Sequence, residues 1–180
     1  MIIIDGLKEI EYEKGTRVVI GKFDGIHAGH QKLIGEITGK NDDLKSVVFT
    51  FKPGKSRFLD AENRIFTEEE RYRRFEELGV DYLVEFDLNE DAAKMEPEDF
   101  ARVCLKQRLH AKEIVCGPDL SFGYKGRGNV SLLESLKDEL QINIKVIEKV
   151  KYMGEDISST RIKEALKAGN ISDAEKMLRG

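Results

Sequence analysis

Short apolar runs alternate with longer amphipathic stretches along this chain. Residues 17–21 (RVVIG) form a continuous apolar run that ends in glycine, as a buried strand reads. After a glycine-rich turn, residues 29–38 predict a helix with Leu33, Ile34 and Ile37 on one face. Residues 46–51 (SVVFTF) are β-branched and aromatic, hence a second strand. Residues 67–78 predict a helix with Thr67 as N-cap, three glutamates in its first turn and Gly79 as its stop. Residues 82–86 predict the next strand. Pro97 opens a helix with Phe100, Val103, Cys104 and Leu109 at core spacing. Strands at 113–116 and 142–147 flank a helix at 132–140, and helices at 160–166 and 172–178 close the pattern.

Such alternation implies right-handed crossovers, and so one α/β domain over residues 1–180. The expected fold is Rossmann-like and doubly wound, with a mainly parallel sheet and helices on both faces. Ligands of such sheets bind beyond the carboxyl ends of the strands, here just after Ile20, Phe51, Cys116 and Ile147.

Composition narrows the class. Apolar residues make up 40% and charged residues 36%, which suits a globular chain and not a disordered one. The net charge of −4 argues against a general nucleic-acid binder. Cys104 and Cys116 form no CxxC pair and read as reduced, buried thiols. The start, Met1–Ile4, meets Asp5, Lys8 and Glu9 too soon for a signal peptide, and no apolar run approaches the ~20 residues of a membrane span. A cytoplasmic protein is expected, with no nucleic-acid or membrane partner.

Two segments carry candidate chemistry. The first strand runs into Gly21-Lys22-Phe23-Asp24-Gly25-Ile26-His27-Ala28-Gly29-His30, which holds two of the three histidines. Gly25 and Gly29 let the backbone approach a ligand. The helix that follows offers free N–H groups and a positive dipole end, and two imidazoles beside it suit phosphate oxygens. The competing readings are a turn with incidental histidines and a zinc site, the latter short of ligands. Near the other end, Ser158-Ser159-Thr160-Arg161 places three hydroxyls and a guanidinium at a helix start. With Ser159 or Thr160 as N-cap this is ordinary capping; together the groups also suit a polyphosphate.

HxGH after the first strand and SSTR before a late helix resemble the HIGH-motif nucleotidyltransferases. The stretches GKFDGIHAGHQKLI, VVFTFKP, ELGVDYLVEFD, VCGPDLSFGYKGRGNVSLL and ISSTRIKEAL, in that order, resemble the adenylyltransferase half of bacterial bifunctional riboflavin kinase/FAD synthetases. The resemblance implies transfer of AMP from ATP to FMN, giving FAD and pyrophosphate, with Mg²⁺ carried chiefly by the substrate phosphates and no dedicated protein metal site. It implies that His27, His30 and Arg161 act on the phosphates, that Gly21, Lys22, Phe23, Asp24 and Gly25 shape the nucleotide loop, and that Ser158, Ser159 and Thr160 hold the β- and γ-phosphates. It places Phe51, Pro53, Asp119, Phe122, Gly123 and Arg127 on the flavin side. For Phe51 and Phe122 core packing competes with flavin stacking, and Arg127 reads equally as part of a charged loop. Lys22 stands where the family often has Asn, Gly54 where many relatives have a nearby His, and Leu120 where an aromatic is commoner. The kinase domain would begin where the sequence stops at Gly180, so riboflavin phosphorylation is not expected. A cytidylyltransferase acting on another phosphorylated acceptor, and a non-catalytic flavin or nucleotide binder, are the rival readings.

Overall fold

The computed structural model describes residues 1–6, 8–52, 64–86 and 94–179. Its centre is a six-stranded sheet built from β1 (Ile2–Asp5), β2 (Thr16–Ile20), β3 (Lys45–Phe51), β4 (Tyr82–Phe86), β5 (Ala111–Cys116) and β6 (Asn143–Val146). The strand order is β1-β4-β3-β2-β5-β6, and every pairing is parallel. The chain therefore winds outward from β2 to β3 and β4, then returns to lay β5 and β6 on the other side. The reversal lies between β2 and β5, where open α/β sheets form their ligand crevice.

The central strands are buried on both faces, which explains their unbroken apolar reading: Val18, Val19, Val47, Val48, Ile114 and Val115 have no exposed surface. On one face, α1 (Ala28–Ile37) and α2 (Glu68–Glu77) cover a cluster of Val19, Phe23, Ile34, Ile37, Val48, Phe75 and Leu83. On the other lie α3 (Pro97–Asp99), its π-helical continuation Phe100–Arg108, and α4 (Val130–Leu140). The expected α-helix after Pro97 is thus mostly π-helical, and Leu109 N–H donates to the Cys104 carbonyl five residues back. That wider turn buries Phe100, Cys104, Leu105 and Leu109, while Val103, expected in the core, is only half-buried. Burial raises the Cys104 thiol to about 12 and the Cys116 thiol to about 11, so both stay protonated at neutral pH.

The helix at 67–78 follows its sequence signals closely. Thr67 and Glu70 form a reciprocal capping box at the start of α2. Two elements lie outside the sequence pattern. The edge strand β1 pairs with β4, some 80 positions away along the chain, and leaves Ile2 and Ile3 exposed, so no burial pattern announces it. The hairpin of β7 (Lys151–Tyr152) and β8 (Glu155–Asp156) turns through Met153 and Gly154, both at positive φ.

The last helices, α5 (Ser159–Lys167) and α6 (Ile171–Arg179), do not cover the sheet directly. They close a small cluster of Ile157, Ile162, Ala174 and Met177 around Ala28, the first residue of α1. Each of its larger side chains contributes about 1.5–3 kcal/mol by leaving water. Gln31 adds a clamp, its side-chain amide donating to the carbonyls of Ile26 (2.9 Å) and Leu178 (2.6 Å). This satellite core carries the 158–161 segment to the loop after β2.

Candidate active site at the switch point

The loop between β2 and α1 is built to be tight. Gly21 N–H donates to the Phe49 carbonyl, holding the loop's start on the sheet. Phe23 and Ile26 both adopt positive φ (46° and 38°) while wholly buried. For a β-branched residue such as Ile26 this conformation costs on the order of 1–3 kcal/mol and persists only where packing dictates it. Phe23 fills the space beneath the loop, meeting Phe75 edge-on and His30 at 4.8 Å between ring centres. It shapes the loop from the core side and offers no surface to a ligand. Lys22 is exposed, and its carbonyl accepts a hydrogen bond from Thr50 Oγ1.

His27 occupies the N-cap position of α1 but makes no capping bond, and the first turn carries no acidic side chain. The contrast with the capped, glutamate-rich start of α2 is direct: α1 leaves its positive end and N–H groups for another partner. The rings of His27 and His30 stack at 3.7 Å, tilted by 17°. A side chain at position 29 would sit 3.2 Å from His27 Nδ1, so Gly29 keeps room for that stack. Both Nδ1 atoms are buried without a hydrogen-bond partner. Burial lowers the His27 pKa to about 4 against the opposing pull of Asp24, and burial together with His27 holds His30 well below the usual imidazole range. Both imidazoles are neutral at pH 7. An arriving anion would supply the missing partner and favour their protonated forms.

The second motif meets the first at Gly25. A Cβ there would lie 2.7 Å from Ile65, which requires glycine, and 3.6 Å from Ser159 Oγ, an ordinary van der Waals distance that places the start of α5 beside the loop. Asp24, almost buried, forms an ion pair with Lys163 on the first turns of α5. Lys163 was not singled out from sequence. Its signal was there: it lies four residues after Ser159, hence on the same helix face.

The helix α5 starts one residue earlier than expected, and its N-cap is Ser158, whose Oγ accepts from Arg161 N–H at 3.2 Å. Ser159 and Thr160 keep their hydroxyls for other partners than the cap. Arg161 turns away from the loop. Its Nη1 donates to the carbonyls of Tyr152 (2.9 Å) and Glu155 (3.0 Å), closing the β7–β8 hairpin.

On the β5 side, residues 117–128 form a self-bonded loop. Phe122 and Gly128 exchange backbone hydrogen bonds, and Tyr124 N–H donates to the Met95 carbonyl. Gly123 sits at φ 70°, with Pro97 only 2.6 Å from where a Cβ would be. Phe122 is 3% exposed and packs on Phe100 at 5.4 Å, so its ring belongs to the core and not to a flavin platform. Arg127 pairs with Glu96 and lies over Tyr124, while Asp119 pairs with Lys149 at 2.9 Å. Phe51 is half-buried at the carboxyl end of β3. Pro53 and Gly54 lie outside the described residues. A concavity of about 950 Å³ lined by residues 8–13, Arg108 and His110 lies at the opposite, amino-terminal end of the strands and takes no part in this site.

The profile of FAD synthetases matches residues 9–161 of the chain. The chain belongs to the FAD synthetase family. A bifunctional riboflavin kinase/FMN adenylyltransferase from Buchnera aphidicola of Acyrthosiphon pisum is 36% identical over 184 residues, which cover 99% of this chain and 59% of that protein. The chain thus spans about three-fifths of that relative's length. The solved structure of a macrolide-efflux protein from Streptococcus pneumoniae superposes with a TM-score of 0.82 at 32% identity, over 98% of this chain and 60% of that one. A pantoate-β-alanine ligase from Francisella tularensis, solved with an ATP analogue and β-alanine, superposes with a TM-score of 0.56 at 16% identity, over 93% of this chain and 79% of that one, and shares the fold alone.

Proposed function

We propose that this chain is an FMN adenylyltransferase that joins ATP and FMN to give FAD and pyrophosphate. The observation that carries the reading is the meeting of the two motifs at the switch point: Gly25 against Ser159, and Asp24 paired with Lys163. Family membership supplies the substrates.

The acceptor needs little activation. A phosphate monoester, with a second pKa of about 6, is close to a dianion at pH 7. One of its oxygens attacks the α-phosphorus of ATP. The bond from that phosphorus to the β-bridging oxygen breaks, and its electron pair leaves with pyrophosphate. Such transfers rest on alignment and charge stabilisation. His27 and His30 have unpartnered ring nitrogens beside an uncapped helix start, and they stabilise charge on the departing phosphates. Ser159, Thr160 and Lys163 hold the β- and γ-phosphates from α5, while Ser158 and Arg161 keep that helix start and the neighbouring hairpin in shape. Gly21, Phe23 and Gly25 fix the loop, and Lys22 contributes a positive charge at its rim. Phe51 and the outer surface of residues 119–127 line the acceptor side.

Mg²⁺ would neutralise phosphate charge during the transfer. Among the described residues no group of three or more His, Cys, Asp or Glu converges, and Asp24 is engaged by Lys163. This donor set suits an ion carried mainly by phosphates and water. No helix among the described residues is long and apolar enough to cross a membrane, and the substrates agree with a cytoplasmic enzyme.

The test is incubation with FMN, ATP and Mg²⁺, with chromatography for FAD and an assay for pyrophosphate. Equal amounts of both are expected. Folded protein that binds ATP yet forms no FAD would overturn the acceptor, and CTP and other phosphorylated acceptors would follow.

A further inference from the structure

A second set of unpartnered buried donors lies beside the same loop, on the β3–β4 side. Arg71, in α2, is 2% exposed, and its Nε, Nη1 and Nη2 all lack hydrogen-bond partners. Among the described residues its ion-pair partner is Glu85, whose Oε1 stands 3.6 Å from Nη2 and is itself without a hydrogen bond; the Glu68 carboxylate also pulls on it from further off. The Tyr72 hydroxyl lies 2.7 Å from Glu85 Oε2 and 2.6 Å from Glu68 Oε1, sharing one hydrogen between two carboxylates. Arg64 Nε is also buried and unpartnered. Burial pushes the Arg71 pKa down against the pull of Glu85, and the Arg64 charge adds a smaller push in the same direction.

Three chains of contacts link these groups to the loop. Glu85 stands opposite Thr50 in the β3–β4 register, and Thr50 Oγ1 donates to the Lys22 carbonyl. The Arg71 guanidinium lies 5.9 Å from the ring of Phe75, which meets Phe23, which meets His30. Ile65, next to Arg64 in the chain, is the side chain that touches Gly25. Buried arginines are otherwise paired, and a guanidinium fork left with spare donors matches the oxygens of a phosphate. Histidines on one side of the loop and arginines on the other fit two phosphate-bearing substrates meeting above it.

We infer that Arg71 and Arg64 form a second phosphate subsite, which takes the phosphate monoester of the acceptor and orients it toward the nucleotide held by the histidine pair. Glu85 and Tyr72 act as positioning residues for the Arg71 fork. The inference rests on the FMN adenylyltransferase reading for the identity of that acceptor.

The test measures binding without turnover. FMN and riboflavin, which lacks the phosphate, are titrated by flavin fluorescence into the intact chain and into Arg64→Gln and Arg71→Lys variants, each checked by its melting curve; ATP is titrated in parallel. The expected result is a rise of roughly tenfold or more in the Kd for FMN, with riboflavin and ATP unchanged. Arg64→Gln carries the test if Arg71→Lys does not fold. An unchanged Kd for FMN in folded variants overturns the subsite, as does equal weakening of riboflavin. Weakening of ATP in place of FMN overturns its assignment to the acceptor. A chain that prefers FMN over riboflavin through these arginines yet makes no FAD would retain the subsite and lose the proposed function; FAD synthesis with variants that bind FMN normally would do the reverse.

Discussion

Two glycine-rich loops leave adjacent strands at the same end of the sheet, one after β2 and one after β5. In the first, Asp24 is paired with Lys163, but two stacked histidines keep unpartnered Nδ1 atoms beside a helix start with no cap. In the second, polar groups are consumed locally. Asp119 meets Lys149, Arg127 meets Glu96, and the backbone closes on itself between Phe122 and Gly128. The first loop holds unfavourable terms, namely left-handed Phe23 and Ile26 and desolvated imidazoles, and a bound anion would give the imidazoles a partner. The second is already satisfied and serves as a wall. A pair of loops with similar composition therefore differs in what is already paired: the first holds unpartnered imidazole nitrogens, and the second has closed on itself.

Four measurements test this contrast. Largest is His30→Ala, which should fold normally and lower the rate of FAD formation by ~10²–10³. A full rate in a folded variant would remove the histidine pair from the mechanism. Next is acid stability. His27 has a folded pKa near 4, below its unfolded value, so the unfolded chain binds the proton first as pH falls. Stability is complete above about pH 6.5 and drops between there and about pH 4, by up to about 3 kcal/mol from this group. Denaturant titrations at several pH values should show that loss, and His27→Gln should flatten it; an equal slope in the variant would place the acid sensitivity elsewhere.

Third, a Cβ at position 128 would stand 2.6 Å from the Phe122 ring. Gly128→Ala should destabilise the chain by about 1–3 kcal/mol through overpacking, measured as a lower denaturation midpoint. An unaltered midpoint would mean that the β5 loop is not locked to the core. Smallest is Arg127→Ala. An exposed ion pair is worth about 0–1 kcal/mol, so stability and the KM for FMN should barely change. A large rise in that KM would show Arg127 exchanging Glu96 for substrate and would overturn the division between the loops.

The histidine motif and the SSTR segment were legible because each packs its chemistry into a few consecutive residues. Their partnership was inferred from resemblance, since 130 positions separate them. The flavin-side residues were less legible. Phe122 could stack on a flavin or fill a core, and nothing local distinguishes the two; Phe100, on the π-helical segment, decides it. Arg161 follows three hydroxyls in the sequence, and in the fold its Nη1 donates to carbonyls of the β7–β8 hairpin, a hairpin with too little apolar pattern to be foreseen. Lys163, which does reach the loop, was hidden among ordinary helix-surface lysines.

The α/β class, most of the strands and helices, the crevice at the carboxyl ends of the strands and the loop after β2 are written into the order of residues. These depend on periodicity, capping and glycine placement, all of which act over a few residues. Tertiary structure alone decided which loops meet, which charges are already paired and which donors stay unsatisfied. Those outcomes depend on contacts such as Gly25 with Ser159, Asp24 with Lys163 and Arg71 with Glu85, whose partners are close in space and mostly far apart in the chain. A side chain's local neighbours say what it can bind, and only the packed fold says whether that capacity is already spent.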